Sequence, residues 1–175
     1  FPSHERRKFA AYLYFRCDRI DRERFFVLLQ QAASASEREV HALGACSGKK
    51  VAADSSYQVS RFAARWHDDA VASYQNFRFV VCFENSRTPG YVTEKMVNAM
   101  LAGAIPIYFG HSSTAREYVN PESFVDCGDF GPGGNMERGG AWSAGETEAA
   151  LKACAAFVVA LDADPVRYSA MRAAP

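Results

Sequence analysis

A chain of 175 residues is long enough for one domain with a sizeable core. Its 20 Lys and Arg balance 20 Asp and Glu, and that zero net charge argues against a nucleic-acid or membrane-surface binder. No apolar run is long enough to span a membrane and no signal-like start is present, so the sequence shows neither an anchor nor an address.

In chain order, the basic run Glu5-Arg-Arg-Lys8 reads as a solvated entry to a strand over Phe9 to Phe15. Arg16 to Asp21 then opens at the carboxyl end of that strand. A helix is expected from about Asp21 to Ala33, with Phe25, Phe26, Leu28 and Leu29 facing the core and Asp21 as its cap. Glu39 to Leu43 reads as a short strand ending at Gly44, with His41 as a packed or surface residue. Ser47 to Tyr57 is polar and reads as a loop, with Lys49-Lys50 as a solvated pair. Val59 to Tyr74 is helix-like: Phe62, Trp66, Ala70 and Tyr74 recur every four residues and form a packing stripe. His67-Asp68-Asp69 holds metal-ligand residue types, but consecutive helical residues diverge, so a charged outer face is the better reading.

The most informative stretch follows. Phe77 to Phe83 is apolar on both parities except at Arg78, the pattern of a strand covered on both faces in a parallel sheet. Pro89-Gly90 breaks the chain. Val92 to Ala102 reads as a helix with Met96, Val97, Met100 and Leu101 along one face, and Gly103 is placed to end it. Ile105 to Phe109 supplies the next strand. Such a unit leaves open the loop at the carboxyl end of its first strand, where α/β sheets bind ligands. With Thr93 as N-cap, Lys95 sits at the positive end of the helix dipole, where a cation is unfavourable by roughly 0.3–1 kcal/mol. Either an anion shares the site, to which helix N–H groups and Lys95 both contribute, or Lys95 is solvated and Glu94 offsets the dipole.

Gly110 to Asn120 contains Ser112, Ser113 and Thr114 before a short helix with Arg116 and Glu117, and Ser123 to Cys127 reads as a last short strand. Gly131 to Gly145 is a glycine-rich loop. Glu146 to Leu161 reads as an amphipathic helix with Leu151, Cys154, Ala155, Val158 and Val159 inward. Asp162-Ala-Asp164 has a metal-binding spacing, but beside Pro165 it is better read as a helix end and an N-cap. Cys17, Cys46, Cys82, Cys127 and Cys154 lie far apart, which gives poor support for zinc. Their odd number leaves at least one unpaired within the chain, and Cys82 reads as a small buried residue.

The run Phe83-Glu-Asn-Ser, six residues from Asn85 to Tyr91, then Val-Thr-Glu-Lys and Ala-Met-Leu-Ala-Gly-Ala-Ile-Pro-Ile closely resembles the donor-binding signature of α-1,3/α-1,4-fucosyltransferases (glycosyltransferase family 10). A weaker likeness extends over most of the chain, through Phe124-Val-Asp-Cys-Gly-Asp-Phe130 to Leu161-Asp-Ala-Asp-Pro-Val-Arg-Tyr168. The resemblance implies an α/β, doubly wound Rossmann-like domain, the C-terminal half of a GT-B glycosyltransferase that uses GDP-fucose. It implies that Asn85, Tyr91, Glu94 and Lys95 hold the donor, with Glu84 as a weaker candidate. Arg22, three residues before Phe25, matches the position of an arginine that contacts the diphosphate, and Arg19 and Arg24 are close rivals. At His41 the family has an acidic residue, so no role carries over there. The general base is expected in a preceding acceptor domain and not among these residues. No metal is expected to be required, with manganese at most a helper. A glycan acceptor, an N-terminal membrane anchor and a Golgi setting are implied in the same way. An inverting transferase using another nucleotide sugar, or a non-catalytic relative, are the alternatives.

Overall fold

The computed structural model describes residues 8–48, 66–134 and 142–174. Five parallel strands form one sheet: β1 (Lys8–Tyr12), β2 (Val40–Ala42), β3 (Phe77–Phe83), β4 (Ile105–Phe109) and β5 (Val125–Asp126), in the order β2-β1-β3-β4-β5. Among the described residues the α-helices are α1 (Ile20–Ser34), α2 (Trp66–Tyr74), α3 (Glu94–Leu101), α4 (Ser112–Tyr118), α5 (Ala144–Asp162) and α6 (Pro165–Ala173). This is the doubly wound α/β arrangement that the sequence implies. The chain reverses direction across the sheet between β1 and β3, and the crevice above such a switch point is where these sheets bind ligands.

Every residue of β3 is buried, as its apolar pattern on both parities requires. Arg78 is tolerated there because α5 brings a counter-charge: its guanidinium pairs with Asp162, donates to the Asp162 carbonyl at 3.2 Å and stacks on the Tyr168 ring at 3.7 Å. Asp162 also pairs with Arg38 at 2.9 Å, while Asp164 caps α6 by accepting from the Arg167 N–H. The Asp-x-Asp spacing is therefore a helix end and a cap, as read.

The two sides of the sheet are packed differently. On one, α1, α5 and α6 cover large side chains including Phe25, Leu29, Phe79, Phe83, Leu151 and Tyr168. On the other, α2, α3 and α4 approach through Ala70, Met96, Ala99, Ala102 and Ala115. Met96, Ala99 and Ala102 form the buried stripe of α3, whereas Val97 and Leu101 are exposed. That corrects the expected stripe: small residues set the close approach to the sheet, and two large apolar ones spill onto the surface. Gly103, at φ +70°, ends the helix as expected, with the Ala104 N–H donating to the Ala99 carbonyl at 3.0 Å.

Several boundaries also differ from expectation. β1 stops at Tyr12, so Leu13 to Phe15 lie beyond it, above the sheet. The N-cap of α1 is Arg19, with no side-chain capping bond, and Asp21 lies inside the first turn. Phe26 and Val159 are only half-buried. The expectations for Glu5 to Arg7, Lys49-Lys50, residues 59–65, the side chains of Trp66, His67 and Asp68, and the middle of the glycine-rich loop lie outside the described residues.

Two disulfides were not legible in the cysteine spacing. Cys17–Cys46 ties the loop after β1 to the loop after β2, and Cys127–Cys154 ties the turn after β5 to α5. Cys82 is free and buried, as read, and burial, aided by the nearby Glu84 charge, pushes its thiol pKa upward.

Candidate donor site

Above the β1–β3 switch point lies a cavity of about 340 Å³ lined by Leu13, Tyr14, Phe15, Arg16, Arg22, Ala70, Tyr74, Asn85, Glu94, Lys95 and Asn98. Four of the five residues implied as donor ligands meet there: Arg22 from the first turn of α1, Asn85 from the end of β3, and Glu94 and Lys95 from the first turn of α3. The fifth, Tyr91, reaches the group through Asn85, whose Nδ2 donates to its hydroxyl at 3.4 Å.

Arg22 is only 2% exposed, unusual for an arginine in a helix's first turn. Its Nη2 donates to the Phe83 carbonyl at 3.0 Å and to the Asn85 side-chain oxygen, and its guanidinium lies over the Tyr14 ring, 4.3 Å from the centroid. Its Nε is buried without a hydrogen-bond partner among the described residues. Of its rivals, Arg24 pairs with Glu148 on the surface, and Arg19 borders a neighbouring cavity of about 400 Å³ together with Asp21, Glu84, Asn85, Arg87 and Phe109.

Glu84 explains how α3 carries a lysine at its positive end. Its carboxylate, fully withdrawn from solvent, accepts from the Thr93 N–H at 2.8 Å, from the Thr93 hydroxyl at 2.7 Å and from Lys95 Nζ at 3.2 Å. Thr93 is the N-cap but makes no side-chain capping bond, because its hydroxyl donates to Glu84 and accepts from Lys95 Nζ at 2.8 Å. A buried anion, rather than Glu94 alone, offsets the helix dipole. Lys95 is thus neither freely solvated nor fully enclosed: its side chain is 22% exposed at the cavity edge.

Sequence reasoning did not single out Tyr14, Tyr74 or Asn98 as lining residues. Tyr14 and Tyr74 carried no signal beyond their apolar surroundings. Burial pushes both phenols well above their usual pKa, so each stays protonated. Among the described residues no group of three or more His, Cys, Asp or Glu is arranged to hold a metal ion.

Comparisons with known proteins give the family and the fold. The family model for the C-terminal region of glycosyltransferase family 10, the fucosyltransferases, matches residues 3–136, and the chain belongs to that family. An α-(1,4)-fucosyltransferase of Arabidopsis thaliana is 33% identical over 106 residues, 61% of this chain and 22% of that protein. An α-(1,3)-fucosyltransferase of Helicobacter pylori is 48% identical over 54 residues, 31% of this chain and 11% of that protein. A crystal structure of an α1,3-fucosyltransferase shares the fold with a TM-score of 0.68 at 24% identity, covering 96% of this chain and 37% of that one. Another, solved with GDP-fucose, gives 0.62 at 21% identity over 96% of this chain and 39% of that one. The chain therefore spans well under half the length of the relatives it matches.

Proposed function

We propose that this chain is the donor half of a fucosyltransferase, binding GDP-fucose so that fucose passes to a hydroxyl of N-acetylglucosamine or glucose in a glycan, with inversion. The observation that carries this reading is the convergence of Arg22 and Lys95, from two different helices, on one cavity at the switch point. In the reaction the acceptor oxygen forms a bond to the anomeric carbon while the bond from that carbon to the β-phosphate oxygen breaks. The electron pair of the broken bond goes to the phosphate, and the acceptor's proton goes to a base in the acceptor domain that would precede this chain.

Charge grows on the leaving diphosphate, and fixed donors aimed at such an oxyanion are each worth about 2.7–4 kcal/mol in transition-state stabilisation. Arg22 and Lys95 would provide that stabilisation. Asn85 and Tyr91 would orient the donor, and the Glu94 carboxylate would accept from its hydroxyls. Glu84 would hold Lys95 and the helix start rather than touch substrate. With two side-chain cations present, manganese would be a helper only, so GDP binding should persist in EDTA. The two disulfides fit an oxidising compartment such as the Golgi lumen. Among the described residues no helix is long and apolar enough to cross a membrane, so an anchor would have to be supplied from outside them.

Calorimetric titration of the 175-residue chain tests this reading. GDP and GDP-fucose should bind, GDP-mannose and UDP-sugars should compete poorly, and the chain alone should transfer no fucose. Equal affinity for UDP would move the assignment to another nucleotide-sugar transferase.

A further inference from the structure

Arg22 is useful to an anion only if its guanidinium is held still at the cavity wall, and one neighbouring side chain is built to do that. Tyr14 lies two residues past the end of β1, where backbone pairing with β3 has ceased. Its hydroxyl takes over the pairing: it accepts from the Phe83 N–H at 2.7 Å and donates toward the carbonyls of Val81 at 2.8 Å and Phe83 at 3.2 Å. The ring is thereby fixed against the carboxyl end of β3, and it packs in a tilted contact against Tyr12, with centroids 4.7 Å apart. The Arg22 guanidinium rests on this ring while Nη2 is tied to the same Phe83 carbonyl and to Asn85. A cation on a desolvated aromatic face is attracted by the ring quadrupole, and this contact together with the Nη2 bonds restricts the rotational freedom that a buried arginine would otherwise keep.

We propose that Tyr14 is a positioning residue, holding the Arg22 guanidinium against the end of β3, at the cavity wall, where it meets the phosphate oxygens of a nucleoside diphosphate. The inference rests on the donor-site reading for the identity of the anion, but not for the Tyr14–Arg22 contact itself.

Two variants separate this role from mere packing. Tyr14→Phe loses the hydroxyl bonds and leaves the Phe83 N–H unmatched, yet keeps the ring. Tyr14→Leu loses both. In the 175-residue chain labelled with ¹⁵N-arginine, the Arg22 Nε–H signal, identified by its disappearance in Arg22→Lys, should be shifted by the ring current and exchange slowly with water. Tyr14→Phe should lower the melting temperature while keeping that shift, and Tyr14→Leu should abolish it. For GDP, Tyr14→Leu and Arg22→Lys should each weaken binding by roughly tenfold, and together by little more than either alone, because both remove the same ordered guanidinium.

An Arg22 signal indifferent to Tyr14→Leu, or losses in GDP affinity that simply multiply, would overturn the proposal. If the signal depends on Tyr14 but GDP does not bind the unaltered chain, the nucleotide reading falls while Tyr14's hold on Arg22 stands.

Discussion

The two cations at the cavity come from opposite layers of the molecule, and those layers are stabilised in different ways. The layer of α1, α5 and α6 is cross-linked: Cys17–Cys46 closes the loop that leads into α1, and Cys127–Cys154 fastens α5 to the turn after β5. Its core is aromatic and branched, and its cation, Arg22, is buried but for the part that lines the cavity. The layer of α2, α3 and α4 has no disulfide among the described residues, packs largely through alanines, and offers Lys95 with part of its stem in solvent. A rigid, planar donor thus sits on the stapled side. A point charge on a flexible stem sits on the other, at a helix start whose dipole favours anions.

Removing a staple should have the largest effect. The Cys127–Cys154 bridge closes a separation of 27 residues. Loop entropy alone puts its contribution at about 3.5 kcal/mol, so the paired change Cys127→Ala with Cys154→Ala should cost most of that in urea unfolding. Hydrogen exchange should report the asymmetry directly. Amides of α1 and α5 should lose protection while those of α3 keep theirs, and uniform loss across both layers would show that the staples support the whole sheet.

Lys95→Ala comes next. A hydrogen bond to a charged group contributes about 1.5–3 kcal/mol, so GDP affinity should fall by about 10- to 150-fold. The fold should survive because Glu84 retains the Thr93 N–H and hydroxyl as donors. Unchanged affinity in a folded variant would mean that the amine serves Glu84 alone, and the anion site would lose its mobile half.

The difference between the layers was only partly legible in the sequence. Phe77 to Phe83 and Ile105 to Phe109 announce themselves, because strands covered on both faces must be apolar on both parities. The face of α3 misled, because periodicity rewards large residues. Val97 and Leu101 fit the helical stripe, but Ala99 and Ala102 are what the neighbouring strands contact. At the site, Asn85, Glu94 and Lys95 could be named from their motif, and Arg22, beside its rivals Arg19 and Arg24, from its distance to Phe25, yet the Glu84–Lys95 pairing and the Tyr14–Arg22 contact depend on where β1 and β3 end side by side. Disulfide partners are likewise a property of the fold: Cys17 and Cys46 sit on neighbouring loops only because β1 and β2 are adjacent and parallel.

Smaller effects should come from the start of α5, the helix that bears one staple. Ser143 and Glu146 form a reciprocal cap there: Ser143 Oγ accepts from the Glu146 N–H at 3.2 Å, and Glu146 accepts from the Ser143 N–H at 2.7 Å. Ser143→Ala removes one of these bonds and should cost about 1 kcal/mol in urea unfolding. A loss confined to the exchange of the first turn, with no change in the global transition, would place the cap outside the cooperative unit.

The charge of Glu146 should have the smallest effect, and its pH dependence has a definite sign. The Ser143 backbone and side-chain hydrogen bonds hold the Glu146 carboxyl below the usual carboxylate range. A carboxylate with a depressed folded-state pKa binds fewer protons folded than unfolded, so its contribution is complete above about pH 4.5 and is lost as pH falls through the folded value. Glu146→Gln keeps an acceptor for the Ser143 N–H but carries no charge. The stability difference between the two proteins should therefore be constant from pH 7 down to about 5 and shrink steadily below that. A difference that grew on acidification would mean that the carboxyl is stabilised in its protonated form, and the helix start would then owe its order to the hydroxyl of Ser143 alone.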